Sequence, residues 1–472
     1  MLIQAKLKSP LKNSTFLHSY FKVMGGQLLL QIRKKYYQCR YFLRAILDLG
    51  KNLLDMNNFF SNQELKKFTL QRWGLALLQD KKFHLKEDGA IWIDALGGGE
   101  VCQISTFVQK IRELYPDRKI VLSTHHKEML SFIRQRKDID FVFSAPHELA
   151  FSVKRVMKVI KPSILVVVDL VFFPFILEYV KKQGVPVVVV GAHLWDGYCD
   201  AIHMKRTKMW QFHKYVDAIG CAGLRDKKNF ESMGTPSSKI HITGSMKYDM
   251  VHLYVSEEKK NLLRQSLGLG VDDYIFVAGS IRKGEERILI KAFLRVKGRM
   301  PNFKLVLVPR FFRDLPAMEA ELNRLGAPWC KKTNLMQRKQ GAEDIVVVDT
   351  FGELAHLYAI ASVVLIGNSL VCDESTPLGQ NIIEPLVQLK PIFFGPFIDK
   401  WRPVMDDFKK IWHGLEVQNE IELGDGIVYL FRHPEIIQEI MKKSKKMIDE
   451  NEDNITQNVL LVAHALSQSY LS

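Results

Sequence analysis

At 472 residues, 47% hydrophobic and 25% charged, the chain is long enough for two or three buried cores and lies far from the composition of a disordered protein. Its formal net charge of +16 is concentrated at the start, where Met1 to Lys86 carries 16 Lys/Arg against 4 Asp/Glu. No window holds the ~18–20 uninterrupted apolar residues of a membrane span, and the six cysteines form no CxxC pair, which suits a reducing cytoplasm and gives no support to a zinc site.

Residues 26–60 mix leucines and aromatics with Arg33, Lys34, Lys35, Arg40, Arg44 and Lys51. This pattern fits a basic amphipathic helix at a membrane interface, or equally a helix docked on its own domain with basic side chains at the rim. A cleavable signal fits poorly, because the apolar piece Gln27 to Ile32 is short and runs into Arg33-Lys34-Lys35. The basic patch favours anionic lipid, a phosphorylated substrate or nucleic acid. Nucleic acid would explain the charge and none of the motifs below, so none is expected as a partner.

From Ala90 a βα rhythm begins, with strands expected at Ile91–Leu96, Lys119–Thr124, Phe141–Ser144, Ile164–Asp169, Val185–Ala192, Ala218–Ala222 and Ile240–Thr243. Continuous runs such as Ile164 to Val168 and Val187 to Val190 are buried on both faces, which implies a parallel sheet covered by helices. Residues 251–273 are charged and loosely patterned. Beyond them the rhythm restarts, with strands expected at Tyr274–Gly279, Leu305–Val308, Ile345–Asp349, Val363–Gly367 and Ile392–Phe394, followed by helical spacing from Pro434 to Leu471. The expected organisation is a basic helical segment over 1–86, an α/β domain over 87–250, a linker over 251–273 and a second α/β domain with closing helices over 274–472. Two such domains imply a cleft, a favoured ligand site.

The chemistry-bearing residues sit at strand ends, where open parallel sheets bind ligands. In the first half, Gly97-Gly98-Gly99-Glu100 follows the first strand and lets a backbone pass close to a ligand, with a carboxylate at a helix start. Its spacing is not the dinucleotide GxGxxG. Asp169 ends an apolar strand among aromatics, and Lys247 follows another strand where it can meet a phosphate or a leaving group. His125-His126 read as loop residues after a strand rather than metal ligands.

In the second half, Ser280 with Gly284-Glu285-Glu286 closes one strand and Pro309-Arg310 closes the next, placing a guanidinium fork suited to phosphate. Asp349-Thr350-Phe351-Gly352-Glu353 joins a strand to a helix, and Gly379-Gln380-Asn381-Ile382-Ile383-Glu384 offers an amide and a carboxylate able to take ribose hydroxyls. The set describes a nucleotide pocket.

Taken together, these residues resemble the bacterial 3-deoxy-D-manno-octulosonic acid (Kdo) transferases, glycosyltransferases of the GT-B fold. The resemblance runs from Gln71-Arg72-Trp73-Gly74 to Gly395-Pro396. It is carried by Ile91-Trp92-Ile93 with Gly99-Glu100, Gly244 with Lys247 and Asp249, Ser280 with Gly284-Glu285-Glu286, Val308-Pro309-Arg310, Gly352-Glu353-Leu354, and Asn381 with Glu384-Pro385. It implies an α/β GT-B architecture of two Rossmann-like parallel-sheet domains facing a cleft. It also implies an inverting, metal-independent transfer of Kdo from CMP-Kdo to a lipid A precursor on the cytoplasmic face of the bacterial inner membrane. No cofactor is expected; the partners are the CMP-sugar donor, an anionic glycolipid acceptor and a membrane surface.

Glu100 corresponds to the general base, and Asp169 and Lys247 to residues steadying developing charge. Ser280 belongs to the same donor pocket, and CMP would contact Pro309, Arg310, Phe351, Gly352, Glu353, Asn381, Ile382, Ile383 and Glu384. The chain departs from the family pattern at Asp94 and Arg282, where the family has histidine. It also departs at Gly97-Gly98, Leu170-Val171 with Phe173, Gly191-Ala192-His193 and Gln380, so the acceptor side differs more than the nucleotide side. The alternatives are another nucleotide sugar on the same fold, or a non-catalytic paralogue that binds lipid.

Overall fold

The computed structural model describes residues 63–75, 89–96, 98–126, 133–134, 136–169, 174–194, 212–248, 255–335, 343–350, 352–371, 379–398, 401–451 and 453–469, with residues 42, 43, 45, 46 and 130. The expected amphipathic helix over residues 26–60 thus lies almost wholly outside the described residues. Among the described residues no helix is long and apolar enough to cross a membrane.

Two sheets organise the chain. The first comprises β1 (Ala90–Ala95), β2 (Ile120–Thr124), β3 (Phe141–Ser144), β4 (Pro162–Val168), β5 (Val187–Ala192), β6 (Ala218–Cys221) and β7 (Ile240–Ile242). All its pairings are parallel, in the order β3-β2-β1-β4-β5-β6-β7. The reversal of order beside β1 makes the β1/β4 boundary the switch point, where a crevice opens at the strands' carboxyl ends. The second sheet comprises β8 (Tyr274–Ile281), β9 (Phe303–Pro309), β10 (Trp329–Lys331), β11 (Ile345–Val347), β12 (Val363–Ile366) and β13 (Ile392–Phe393). It is also parallel, in the order β10-β11-β9-β8-β12-β13, with its own switch point between β8 and β12.

Burial explains the sequence pattern. Ile164, Val166 and Val168 face one core, and Leu165 and Val167 face the other. Both faces of the sheet are therefore dry, which is why the strand shows no polar alternation. β10 escaped the reading of the sequence because it is a three-residue edge strand whose Trp329-Cys330-Lys331 carries neither alternation nor an apolar run.

Two segments lie elsewhere than the sequence suggested. The charged stretch after residue 250 contains a helix, Glu257–Ser266, begun by Ser256, whose hydroxyl accepts the Lys259 N–H; Leu267 and Leu269 then enter the second core. More consequentially, the helix Asn454–Ser469, expected with the second domain, crosses back to the first. Ile455, Val459, Leu461, Val462, Ala465 and Leu466 pack into the core formed by β1, β4, β5 and the helix Gly98–Leu114. Their apolar face, spaced at three and four residues, complements a sheet surface that the first 250 residues leave uncovered.

Candidate active site

On the first wall, β1 delivers Asp94 and, past its end, the helix Gly98–Leu114. Glu100 lies in the first turn of that helix, at the carboxyl end of the sheet; its side chain is outside the described residues. Asp94 is buried, and its carboxylate accepts from the Ser123 hydroxyl, which in turn accepts the Trp92 indole N–H at 2.8 Å. His125 Nε2 lies 3.3 Å from the other Asp94 oxygen. Asp94 is therefore tied to a histidine that follows the neighbouring strand.

Reading the sequence missed a second buried pair beside it. Glu148 accepts the N–H groups of Phe175 and Ile176, both at 3.0 Å, at the start of the helix Pro174–Lys182. Burial pushes its carboxyl up to about 8 against the pull of those two amides. His147 is held down to about 3, first by burial and then by the charges of Arg72 and His125. The one available signal was Pro146-His147-Glu148 directly after an apolar strand end.

Asp169 and Lys247, singled out separately in the sequence, meet in the structure. Asp169 takes a left-handed conformation (φ 60°) immediately after β4, and its Oδ2 lies 3.5 Å from Lys247 Nζ. Lys247 is 7% exposed, so its charge is compensated in a largely dry setting rather than spread in water. The turn that carries Lys247 is fixed by the helix Asn454–Ser469. Asn458 Oδ1 accepts from Gly191 N and Thr243 Oγ1, both at 3.0 Å, and Asn454 Nδ2 donates to Ser245 O at 3.2 Å. Gly244 (φ 75°) is required there, since a Cβ would sit 1.9 Å from Asn454 Oδ1.

The second wall reaches the first through Trp401. Its ring lies 5.6 Å from Lys247 Nζ and 6.2 Å from the His193 ring. His193 Nδ1 lies 2.7 Å from Asp226 Oδ1, which also accepts Leu194 N–H. Trp401 carried no motif and was not anticipated; only its place in a loop distinguishes it.

Behind Trp401 stand the nucleotide-side residues. Ser280 is buried at φ 57° at the end of β8, and Gly367 allows close packing there, because a Cβ would come within 2.4 Å of Ser280 O. Pro309 ends β9, and the following Arg310 is exposed while its N–H donates to Ile281 O at 2.9 Å. Asn381 Nδ2 donates to Glu384 Oε1 at 3.1 Å, and Asn381 Oδ1 accepts Ile383 N–H at 3.1 Å. Burial pushes the Glu384 carboxyl up, and the Asn381 amide, Arg310 and Lys247 draw it down. Glu384 thus feels a cation from each half of the molecule.

Other expected contacts are arranged differently. Ile382 and Ile383 are fully buried in the second core, so only their backbone can face a ligand. Gly352 is exposed at φ 85°, whereas the Glu353 carboxylate is engaged by Lys332 and by the Thr350 hydroxyl. Phe351 lies outside the described residues. Among the described residues no group of three or more His, Cys, Asp or Glu is placed to hold a metal ion.

Residues 69–250 match the family described as 3-deoxy-D-manno-octulosonic-acid transferase (kdotransferase). The chain is 27% identical over 349 residues to a 3-deoxy-D-manno-octulosonic acid transferase of Aquifex aeolicus, covering 73% of this chain and 88% of that protein. The chain is thus similar to Kdo transferases, through the family match over residues 69–250 and through relatives aligned over most of its length. Another Kdo transferase, from Chlamydia trachomatis serovar A, is 22% identical over 395 residues, covering 82% of this chain and 88% of its own length. Among solved structures, UDP-GlcNAc 2-epimerase from Neisseria meningitidis bound to UDP-GlcNAc superposes with a TM-score of 0.53 at 12% identity, covering 80% of this chain and all of that one. That likeness shows the shared GT-B-like architecture.

Proposed function

We infer that this glycosyltransferase moves Kdo from CMP-Kdo to an anionic glycolipid of the lipid A precursor class, with inversion and without a metal ion or organic cofactor. One observation carries the reading: the Asp169–Lys247 pair of the first half is roofed by Trp401 of the second, with Glu384 in electrostatic reach of both Lys247 and Arg310. A donor lying along the second sheet would present its phosphate to Arg310 and its ribose to Asn381 and Glu384. Its sugar would then lie toward Lys247.

In this scheme Glu100 takes the proton of the acceptor hydroxyl. The hydroxyl oxygen forms the new bond to the anomeric carbon from the face opposite CMP, and the bond to CMP breaks with its electron pair going to the phosphate. Lys247 meets the charge that grows on the leaving phosphate, and Asp169 holds the ammonium in place and balances it. A fixed cation in a dry site costs no reorganisation as that charge appears.

The acceptor's negative charge suits the +12 of Met1 to Lys86, and lysines close to an anionic surface contribute about 1 kcal/mol each. We accordingly place the protein peripherally on the cytoplasmic face of a bacterial inner membrane. Incubating purified protein with CMP-Kdo and lipid A precursor should yield a Kdo-bearing product by mass spectrometry. Glu100→Ala should abolish turnover and leave CMP binding within about threefold. Absence of product with the wild-type chain overturns the reading. The shared fold of a UDP-GlcNAc 2-epimerase supports a second reading with a UDP-sugar donor, which a stronger competition by UDP than by CMP would establish.

A further inference from the structure

Parallel sheets commonly meet a phosphate with free backbone N–H groups at their strand ends. In the second sheet of this protein several of those groups are already taken by internal side-chain oxygens. Glu285, with no exposed surface, accepts the N–H of Arg282 (2.9 Å) and Asn368 (2.8 Å) on Oε2, and of Ser369 and Leu370 (both 2.9 Å) on Oε1. Glu286 Oε2 accepts Gly284 N–H at 2.6 Å, and Asn381 Oδ1 holds Ile383 N–H. The run Asn368-Ser369-Leu370 forms an amide nest of the kind that binds anions, and the protein's own carboxylate fills it.

Directly beside this nest three guanidinium groups gather on one aromatic ring. The Cζ atoms of Arg282, Arg310 and Arg313 lie 5.0, 5.9 and 4.3 Å from the Phe311 ring centroid. Arg310 and Arg313 are exposed, and among the described residues neither joins a salt bridge. Each cation gains about 0.5–1 kcal/mol from the ring at an exposed site, but the three repel one another. An anion settling among them relieves that repulsion and gains charge-assisted, fork-shaped hydrogen bonds.

We propose that Arg282, Arg310 and Arg313, stacked around Phe311, form the anion cradle of the donor site and receive both the nucleotide phosphate and a carboxylate on the transferred sugar. This rests on the donor reading above and adds the residues that take the donor's second anion: one phosphodiester carries a single negative charge, and three guanidiniums match a donor with a second, separate anion. Arginine is a permanent cation, so the cradle keeps its charge across the working pH range.

The test is calorimetric titration of cytidine, CMP and CMP-Kdo into the wild type, Arg282→Gln and Arg313→Gln. Each variant should bind CMP-Kdo at least about tenfold more weakly, lose less for CMP and bind cytidine as the wild type does. Arg313 is exposed, so Arg313→Gln should keep the wild-type melting temperature and holds the test open even if Arg282→Gln folds poorly. Wild-type affinity for CMP-Kdo in Arg313→Gln and in folded Arg282→Gln overturns the cradle and leaves the donor reading standing. A wild-type chain that binds neither CMP nor CMP-Kdo overturns the donor reading, and the cradle with it.

Discussion

Lys247 Nζ lies 3.5 Å from Asp169 Oδ2 and 5.6 Å from the centre of the Trp401 ring, so one ammonium group joins a carboxylate of the first half to an aromatic of the second. Removing its charge should affect catalysis more than binding. Lys247→Met, which keeps the aliphatic stem against Trp401, should lower kcat by about 10²–10³-fold with a small change in donor KM. Asp169→Asn should show a weaker loss in the same direction. Steady-state kinetics on both variants checks this.

The helix Asn454–Ser469 holds the Lys247 turn from behind. Asn458→Ala leaves the Gly191 N–H and the Thr243 hydroxyl without the acceptor they share, and a buried donor so stranded costs about 1–3 kcal/mol. We expect a measurably lower melting temperature together with reduced activity, because Lys247 loses its fixed position. Gly244→Ala should be worse, since it combines strain at φ 75° with a clash against Asn454. Thermal denaturation and turnover on the same preparations check the pairing of the two effects.

Glu148 and His147 give folding stability opposite slopes with pH. The Glu148 carboxyl is raised from 4.5 to about 8, so the folded state binds more protons than the unfolded one. Its contribution is complete below pH 4.5 and is lost as pH rises through 8, by at most about 1.4 kcal/mol per pH unit. His147, lowered from 6.5 to about 3, contributes fully above pH 6.5 and loses that contribution as pH falls toward 3. Between pH 4.5 and 6.5 the two slopes cancel, so Glu148→Gln should remove the decline in stability between pH 6.5 and 8, unmask a rise between pH 4.5 and 6.5, and leave the limb below pH 4.5 unchanged. Denaturant titrations across that range measure it.

The basic first 86 residues should bind vesicles containing anionic lipid and ignore neutral ones. Binding should weaken as salt rises, because screening shortens the reach of surface charge to about 8 Å at physiological ionic strength. Co-sedimentation with vesicles of each composition at two salt concentrations is sufficient. Equal recovery with neutral vesicles would point to apolar insertion instead.

Both sheets could be read from the sequence because their strands are buried on two faces and announce themselves as unbroken Val/Ile/Leu runs. Asp169 and Lys247 were visible for a related reason: a charged residue just past such a run must face a crevice or find a partner. Trp401 and Phe311 were not singled out as site elements, and Glu285 was noted only within Gly284-Glu285-Glu286 without its task, because their importance arises from pairings distant in the chain. A glutamate that fills an amide nest more than eighty residues away, at Asn368 to Leu370, has no local pattern to betray it. The helical spacing from Pro434 to Leu471, the helix Asn454–Ser469 included, was assigned whole to the nearer core, since periodicity reports that a face is apolar and not which surface it covers.

That helix also bears on how the protein is made. Its apolar side belongs to the first sheet, yet it is synthesised about two hundred residues after β7. While the ribosome is still producing the second domain, the first must wait with an open hydrophobic flank, unable to finish folding as an independent unit in the usual N-terminal-first manner. A fragment ending near residue 250 would inherit the same exposed flank permanently and tend to aggregate, whereas supplying residues 454–469 as a separate peptide should restore its solubility.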